Sequence, residues 1–391
     1  MGWDRQKPFI AEKPSSPSLG RWLLAVVLSI IVGILLFSLH AADRLIWLQT
    51  VNIWAVSTAP IIGWGLAFCV RSYMYGRGLS HYTFLQDEAQ QAQQEWQTWA
   101  ERYMAVLASC VLLPDVITVS YLANEPTDVE FQRGLVRRID YLSQDKGVEY
   151  QAIMALLVSI QQALNSLPPD IELRATLLTD SDPAEYEQLR AVWAQCWDKV
   201  ITTRFAPTTL TLSAEMPYSK IEDGIKNAIT DAELTLVLQL HGDENYSDGL
   251  AVFLLTTDDM AQKHQLPIQG RLLRPMQLNI EQAESELTLF METQSLACRA
   301  GGILGDSTEL MSLTPKIIPV GHRLGANFSA ESVLIQESWT GIPGPFSAWL
   351  VAAFGLDFAY YYDMPYVVFS FGPESGVVST VSPGVCNEDV E

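Results

Sequence analysis

The chain has 391 residues, with 24 Lys or Arg against 45 Asp or Glu and a formal charge of −21 at pH 7. Residues 1–77 carry seven basic and three acidic side chains, leaving 17 basic against 42 acidic in the remainder. So acidic a surface excludes nucleic acid, which is bound by phosphate neutralisation, and a domain lying flat on anionic lipid.

Two apolar runs follow a Pro/Ser-rich stretch, KPSSPSLG, inside a tail over 1–20 that is predicted to be disordered and cytoplasmic. The first run, Trp22–Leu39, has 18 uncharged residues. As a helix it measures about 27 Å at 1.5 Å per residue, against a hydrocarbon core of about 30 Å. The second, Ile46–Val70, includes Gln49, Asn52, Ser57, Thr58 and Pro60. It can still span, because neighbouring groups re-satisfy the carbonyl that Pro frees. Residues 21–71 are therefore predicted to form a two-helix transmembrane hairpin whose partner is the lipid bilayer through residues 22–39 and 46–70. Arg5, Lys7, Lys13 and Arg21 precede the pair and Arg71 and Arg77 follow it, while only Arg44 lies in the turn. That distribution places both termini and the large domain in the cytoplasm of a bacterial inner membrane. Trp22 and Trp47, with Arg21 and Arg71, are the expected anchors at the headgroup level. The alternatives are a signal peptide cleaved near Ala41–Ala42, and a buried or interfacial second run.

Past the second run, residues 72–113 read as an irregular connector and then an amphipathic helix, Asp87–Leu113, with Trp96, Trp99, Tyr103 and Cys110 at three-to-four spacing. The domain over 114–384 alternates between the two periods. Strands are expected at Val116–Leu122, Glu172–Leu178, Thr208–Leu212, Leu234–Leu240, Leu250–Leu255, Tyr366–Phe371 and Val377–Val381. Helices are expected at Val129–Leu142, Glu149–Leu164, Asp182–Val200, Ser219–Ile229, Glu281–Arg299 and within Gly341–Tyr362. Asp182 and Ser219, each with a Glu three residues on, have the capping-box form, and Asp258 reads as an N-cap. Gly301–Thr340 reads as loops and short strands, and 385–391 as a frayed acidic tail. The fold class is a layered α/β domain behind a transmembrane hairpin.

Two stretches are similar to parts of the thiolase and β-ketoacyl synthase family. In Tyr218–Met276, the helix SKIEDGIKNAI leads to DAELTLVL, a turn, SDGLAVFLL, the helix DDMAQKHQLP and the strand IQGRLL. Gly341–Val381 resembles the family's closing unit, with a Gly-rich turn, an Ala-rich helix and a hairpin. The resemblance implies a two-half thiolase-like architecture. The family's nucleophilic Cys would fall in SAEMPYSK, which holds Met216 and Pro217, and its late His motif on Gly341–Phe346, which has no His. The resemblance is thus to a catalytically degenerate member, a pseudoenzyme. A chain of this make-up also resembles accessory proteins of type VI secretion.

No Walker, GxSxG, HExxH or GxGxxG motif appears in its required context. The five cysteines (69, 110, 196, 298, 386) have no metal-ligand spacing. No metal and no cofactor is predicted. The weak catalytic candidates are Cys298 beside Arg299, the late His322, and Cys196 between Trp193 and Trp197. The expected function is a membrane-anchored adaptor that binds a protein partner. The alternative is an acyl-transferring enzyme that uses a relocated Cys or His.

Overall fold

The computed structural model of the chain describes residues 2–5, 11–42, 51–124, 132–142, 147–207, 209–227, 231–372 and 376–384. It divides into two units, Gln6–Glu95 and Met1–Arg5 together with Trp96–Glu391. The apolar runs become helices α1 (Leu19–Ala41), in the first unit, and α2 (Ile53–Glu101), whose last residues belong to the second, both long and apolar enough to cross a membrane. Leu23, Leu24, Leu28, Ile34 and Leu35 on α1, and Ile62 and Leu66 on α2, are exposed. An apolar surface this continuous is an interaction face rather than a soluble one.

The two helices run antiparallel. Trp22 packs edge-on against Phe68 at 5.2 Å, and Phe37 meets Trp54 at 5.9 Å. Between these contacts Gly33 lets the backbones close, since a Cβ there would lie 2.6 Å from the Ser57 carbonyl. Ser57 and Thr58 donate to the carbonyls of Ile53 and Trp54, so their hydroxyls are satisfied within the helix. Pro60 sits inside α2 without ending it. Trp47 and residues 46–50 lie outside the described residues, as does the tail 385–391.

Several sequence expectations are corrected here. The connector and the Asp87–Leu113 helix are instead one continuous α2 to Glu101, followed by strand β1 (Tyr103–Leu112). The periodicity misled because YMAVLASCVL is apolar on both faces, and such a run has no period that separates strand from buried helix. Val116–Leu122 is not a strand. Asp115 and Val116 take positive φ, and Thr118 caps the short α3 (Val119–Ala123) through the Tyr121 amide. The described part of Val129–Leu142, residues 132–142, is irregular. There Arg137 and Arg138 reach out to Asp115 and Asp248 instead of forming a helix face. Nor is the tail 1–20 disordered throughout. Gly2–Arg5 packs on the larger unit, with Trp3 Nε1 donating to the Pro275 carbonyl at 3.2 Å and its ring 5.4 Å from Trp99.

Among the described residues the second unit carries ten further strands: β2 (Leu173–Thr179), β3 (Leu210–Ser213), β4 (Ala232–Gln239), β5 (Gly249–Thr257), β6 (Gly270–Leu273), β7 (Met276–Leu278), β8 (Gly302–Gly305), β9 (Val333–Ile335), β10 (Tyr366–Phe371) and β11 (Gly376–Pro383). They form one mixed sheet in the order β3-β2-β4-β5-β1-β6-β11-β10-β8-β9, with β7 on β11. The order hides a duplication. In the first half β2 is parallel to β3 and β4, and β5 is antiparallel to β4 and β1. In the second half β8 is parallel to β9 and β10, and β11 is antiparallel to β10 and β6. With β7 set aside, both halves read third-second-fourth-fifth-first. They join where β1 pairs antiparallel with β6, Tyr103 opposite Leu273 through Val106 opposite Gly270. This is the two-half, thiolase-like layered α/β architecture that the resemblance implies.

Helices α4 (Val148–Ser166) and α5 (Tyr186–Val200) cover one face of the first half with a core of Leu, Ile and Trp. The other face carries α6 (Lys220–Lys226), and α7 (Asp258–Lys263) leads from β5. Two capping readings change. Ser219 is already helical and makes no cap bond, and the N-cap of α7 is Thr257, while Asp258 pairs with Arg102. In the second half α8 (Ala283–Thr293) is shorter than expected and passes into a 3-10 turn. The loop reading of Gly301–Thr340 is overturned by β8, β9, α9 (Leu310–Arg323) and α10 (Glu337–Thr340). Pro315 and Pro319 masked α9, whose Leu310, Leu313, Ile317 and Val320 form a buried stripe.

Helix α11 (Ser347–Tyr362) binds the halves together. It packs on β1, β5 and β6 and also on β10 and β11, and Trp349–Leu356 is buried without a break. A helix apolar all round belongs inside a protein. Its Trp349 ring lies 5.2 Å from Tyr218 and 5.6 Å from Phe253. Trp349→Ala is expected to cost about 3–5 kcal/mol of stability, read as a lower chemical-denaturation midpoint.

Candidate functional site

The positions that the family resemblance marks for catalysis, Met216 and the turn Gly341–Phe346, are brought together where α6 and α11 begin. Trp349 Nε1 donates to the Met216 carbonyl at 2.9 Å, which ties the two helix starts to each other. Met216 and Tyr218 are buried beside it. A cavity of about 110 Å³ lies beside them, walled by Met104, Met216, Ile221, Leu255 and Trp349 and by the polar Lys220, Asp223, Asn227, Glu233 and Thr235.

The Gly-rich turn is held by the ends of the first-half strands. Gln239, the last residue of β4, accepts from the Phe346 amide at 3.1 Å and donates to the Ser247 carbonyl at 2.7 Å. Gly344 must lack a side chain, because a Cβ would collide with the Gln239 amide. Gly341 has φ +82°, and a Cβ there would collide with the Leu135 carbonyl and the Ser247 hydroxyl.

Immediately beside this turn is a buried carboxylate that sequence reasoning missed. Asp306 follows β8 and is 2% exposed. Its Oδ2 accepts from Ser347 Oγ at 2.8 Å and Ser370 Oγ at 2.6 Å, and the Phe371 amide donates to the same group at 3.2 Å. Burial pushes its pKa up from 3.8 to about 6, and these donors oppose the rise. The first half repeats the device. Asp180 follows β2 and accepts from the amides of Leu240 and His241, at 3.0 and 2.8 Å, and from the Tyr246 hydroxyl at 3.2 Å. In each half an Asp after the second strand caps backbone amides at the end of the fourth, Leu240 and His241 just past β4 and Phe371 as the last residue of β10. A sequence signal existed: Leu177-Leu-Thr-Asp-Ser and Ile303-Leu-Gly-Asp-Ser are parallel apolar-to-Asp-Ser junctions.

The three candidate catalytic residues do not join this site. Cys196 is fully buried in the core under α5, its thiol donates to the Tyr150 carbonyl at 3.6 Å, and burial pushes its pKa up to about 11. Cys298 donates to the Met291 carbonyl at 3.5 Å, and burial raises its pKa too. Both shifts oppose thiolate formation. His322 lies in the last turn of α9, with Nε2 2.6 Å from the Phe328 carbonyl. Of the expected membrane anchors, Trp22 accepts from Trp64 Nε1 through its carbonyl, Arg71 donates to the Ser15 carbonyl, and Arg21 is exposed. Among the described residues, no group of three or more His, Cys, Asp or Glu is placed to hold a metal ion.

No family profile matches the chain, and no curated protein matches it. Solved structures do. A type II PKS ketosynthase in complex with its acyl-carrier protein is 9% identical, with 73% of this chain and 100% of that one covered and a TM-score of 0.49. Cerulenin-bound OleA of Xanthomonas campestris is 9% identical, covers 73% and 98%, and scores 0.43. The 3-oxoacyl-[acyl-carrier-protein] synthase III of Aquifex aeolicus is 11% identical, covers 71% and 99%, and scores 0.41. These scores lie below 0.5, and the fold assignment rests on the duplicated strand order, not on them.

Asp306 gives a pH test. Its folded pKa lies above its ordinary value, so the buried charge destabilises the fold above about pH 6, and protonation relieves that cost as pH falls toward 4. The relief is at most on the order of 3 kcal/mol. Asp306→Asn is expected to flatten this part of the stability profile between pH 4 and 6, measured by denaturant unfolding against the parent chain.

Proposed function

We propose that this chain is a membrane-tethered binding module whose large unit holds a protein partner at the cytoplasmic face of a bacterial inner membrane. In this reading α1 and α2 cross the bilayer as a pair. Two observations support it. Gly2–Arg5 docks on the unit that also contains Trp96–Glu391, so the residues on either side of the hairpin belong on the same face. The Lys/Arg excess outside the hairpin then selects the cytoplasm. Tethering raises the domain's effective concentration near a membrane-bound assembly, such as a type VI secretion machine.

The observation that carries the non-catalytic half is the filled junction of α6 and α11. Where a nucleophile and an acyl group would need room, Met216 and Trp349 pack together and leave about 110 Å³. Nucleophilic catalysis needs an activated nucleophile with a base in reach, and the thiols of Cys196 and Cys298 are held protonated by burial.

Intact-mass analysis of the purified chain after incubation with acyl thioesters separates the two readings. No acyl adduct is expected, and Cys196→Ala, Cys298→Ala and His322→Ala should leave partner capture from native membranes unchanged. A stoichiometric adduct on either cysteine would establish the acyl-transfer alternative.

A further inference from the structure

The N-terminal residues that dock on the large unit also complete a second, unrelated cavity. It measures about 400 Å³, and three indoles wall it: Trp3 from the N-terminal segment, and Trp96 and Trp99 from the end of α2. Trp96 meets Trp99 at 5.0 Å and 79°, and Trp3 meets Trp99 at 5.4 Å and 80°. Both outer rings therefore stand nearly perpendicular to the central one. Among the cavity's lining residues the only charged side chains are Asp4 and Glu222, and both are acidic.

The same cluster already holds one cation. The Arg274 guanidinium, 2% exposed, lies 4.1 Å from the centre of the Trp99 ring and pairs with Glu222 at 3.2 Å. Lys226 also contacts Glu222, at 2.8 Å. Glu222 is thus committed to two cations of the protein. Asp4 is exposed and has no hydrogen bond or ion pair among the described residues. An electron-rich aromatic wall with an uncommitted carboxylate at its rim attracts an organic cation: the ring quadrupoles favour a positive charge, and the indoles bury its apolar body. The volume suits a cation larger than a bare ammonium or metal ion.

We propose that this Trp3–Trp96–Trp99 cavity is a binding site for a quaternary or multiply alkylated ammonium group, completed only when residues 2–5 are docked. Its charge selectivity comes from the indole faces and from Asp4.

The test uses the full chain in maltoside detergent, which carries no ammonium headgroup. Choline is titrated against its neutral isostere, 3,3-dimethylbutan-1-ol, and binding is read by saturation-transfer NMR and calorimetry. Choline is expected to bind at least about tenfold more tightly than the isostere. Trp96→Ala should abolish choline binding, Asp4→Asn should weaken it several-fold, and Tyr360→Ala, at an exposed ring outside the cavity lining, should leave it unchanged. Circular dichroism of each variant keeps misfolding apart from loss of the site. Equal affinity for the two probes, no choline binding by the folded parent chain, or unchanged binding in folded Trp96→Ala would overturn the proposal.

Discussion

The short antiparallel seam between β1 and β6 is the constraint on which the rest of the large unit depends. It spans four residue pairs, Tyr103 with Leu273 through Val106 with Gly270, and turns two half-sheets into one. Gly270 has no room for a side chain at the seam, since a Cβ there would lie 2.6 Å from Leu356 of α11. The seam and the buried helix are therefore one packing problem: α11 can bridge the halves only because the sheet is continuous beneath it. Its first turn is then pinned from both halves, by Gln239 through the Phe346 amide and by Asp306 through the Ser347 hydroxyl.

That pinning fixes the start of α11 beside α6, next to a cavity of about 110 Å³. Buried polar groups are tolerable only when satisfied, and here Asp306, Gln239 and Ser247 are satisfied by one another's neighbours and by backbone. The same economy appears at Asp180 in the first half. The two aspartates mark the duplication more clearly than any run of identical residues, because each solves the same problem, the amides at the end of the fourth strand. At the centre of this frame Met216 and Trp349 meet, through the bond from Trp349 Nε1 to the Met216 carbonyl.

Much of this was legible in the sequence. The apolar runs announced α1 and α2, and the strands β2, β4, β5 and β10 fell close to their predicted limits because β-branched and Leu-rich runs ended at clear turn residues. What failed did so for physical reasons. β1 is buried on both faces and so has no alternation to read. Pro315 and Pro319 argued against α9, whose buried stripe outweighed them. The start of α3 depended on the Thr118 cap, which was overlooked beside a β-branched run. Met216 and the Gly341–Phe346 turn were found through family resemblance. Asp306 was not, because a lone Asp after a four-residue strand has no period. Cys196, Cys298 and His322 were chosen by residue type alone, and tertiary structure scattered them.

The proposed function depends on one placement: the N-terminal residues and the large unit should share a side of the membrane. A membrane-impermeant maleimide, applied to intact cells and to inverted vesicles, measures this directly in a chain whose native cysteines are replaced. Asp4→Cys and Phe205→Cys, both at exposed positions, report on the N-terminal segment and the large unit. The account predicts that both label only in inverted vesicles, from the cytoplasmic face. Labelling of the two sites from opposite faces would contradict it.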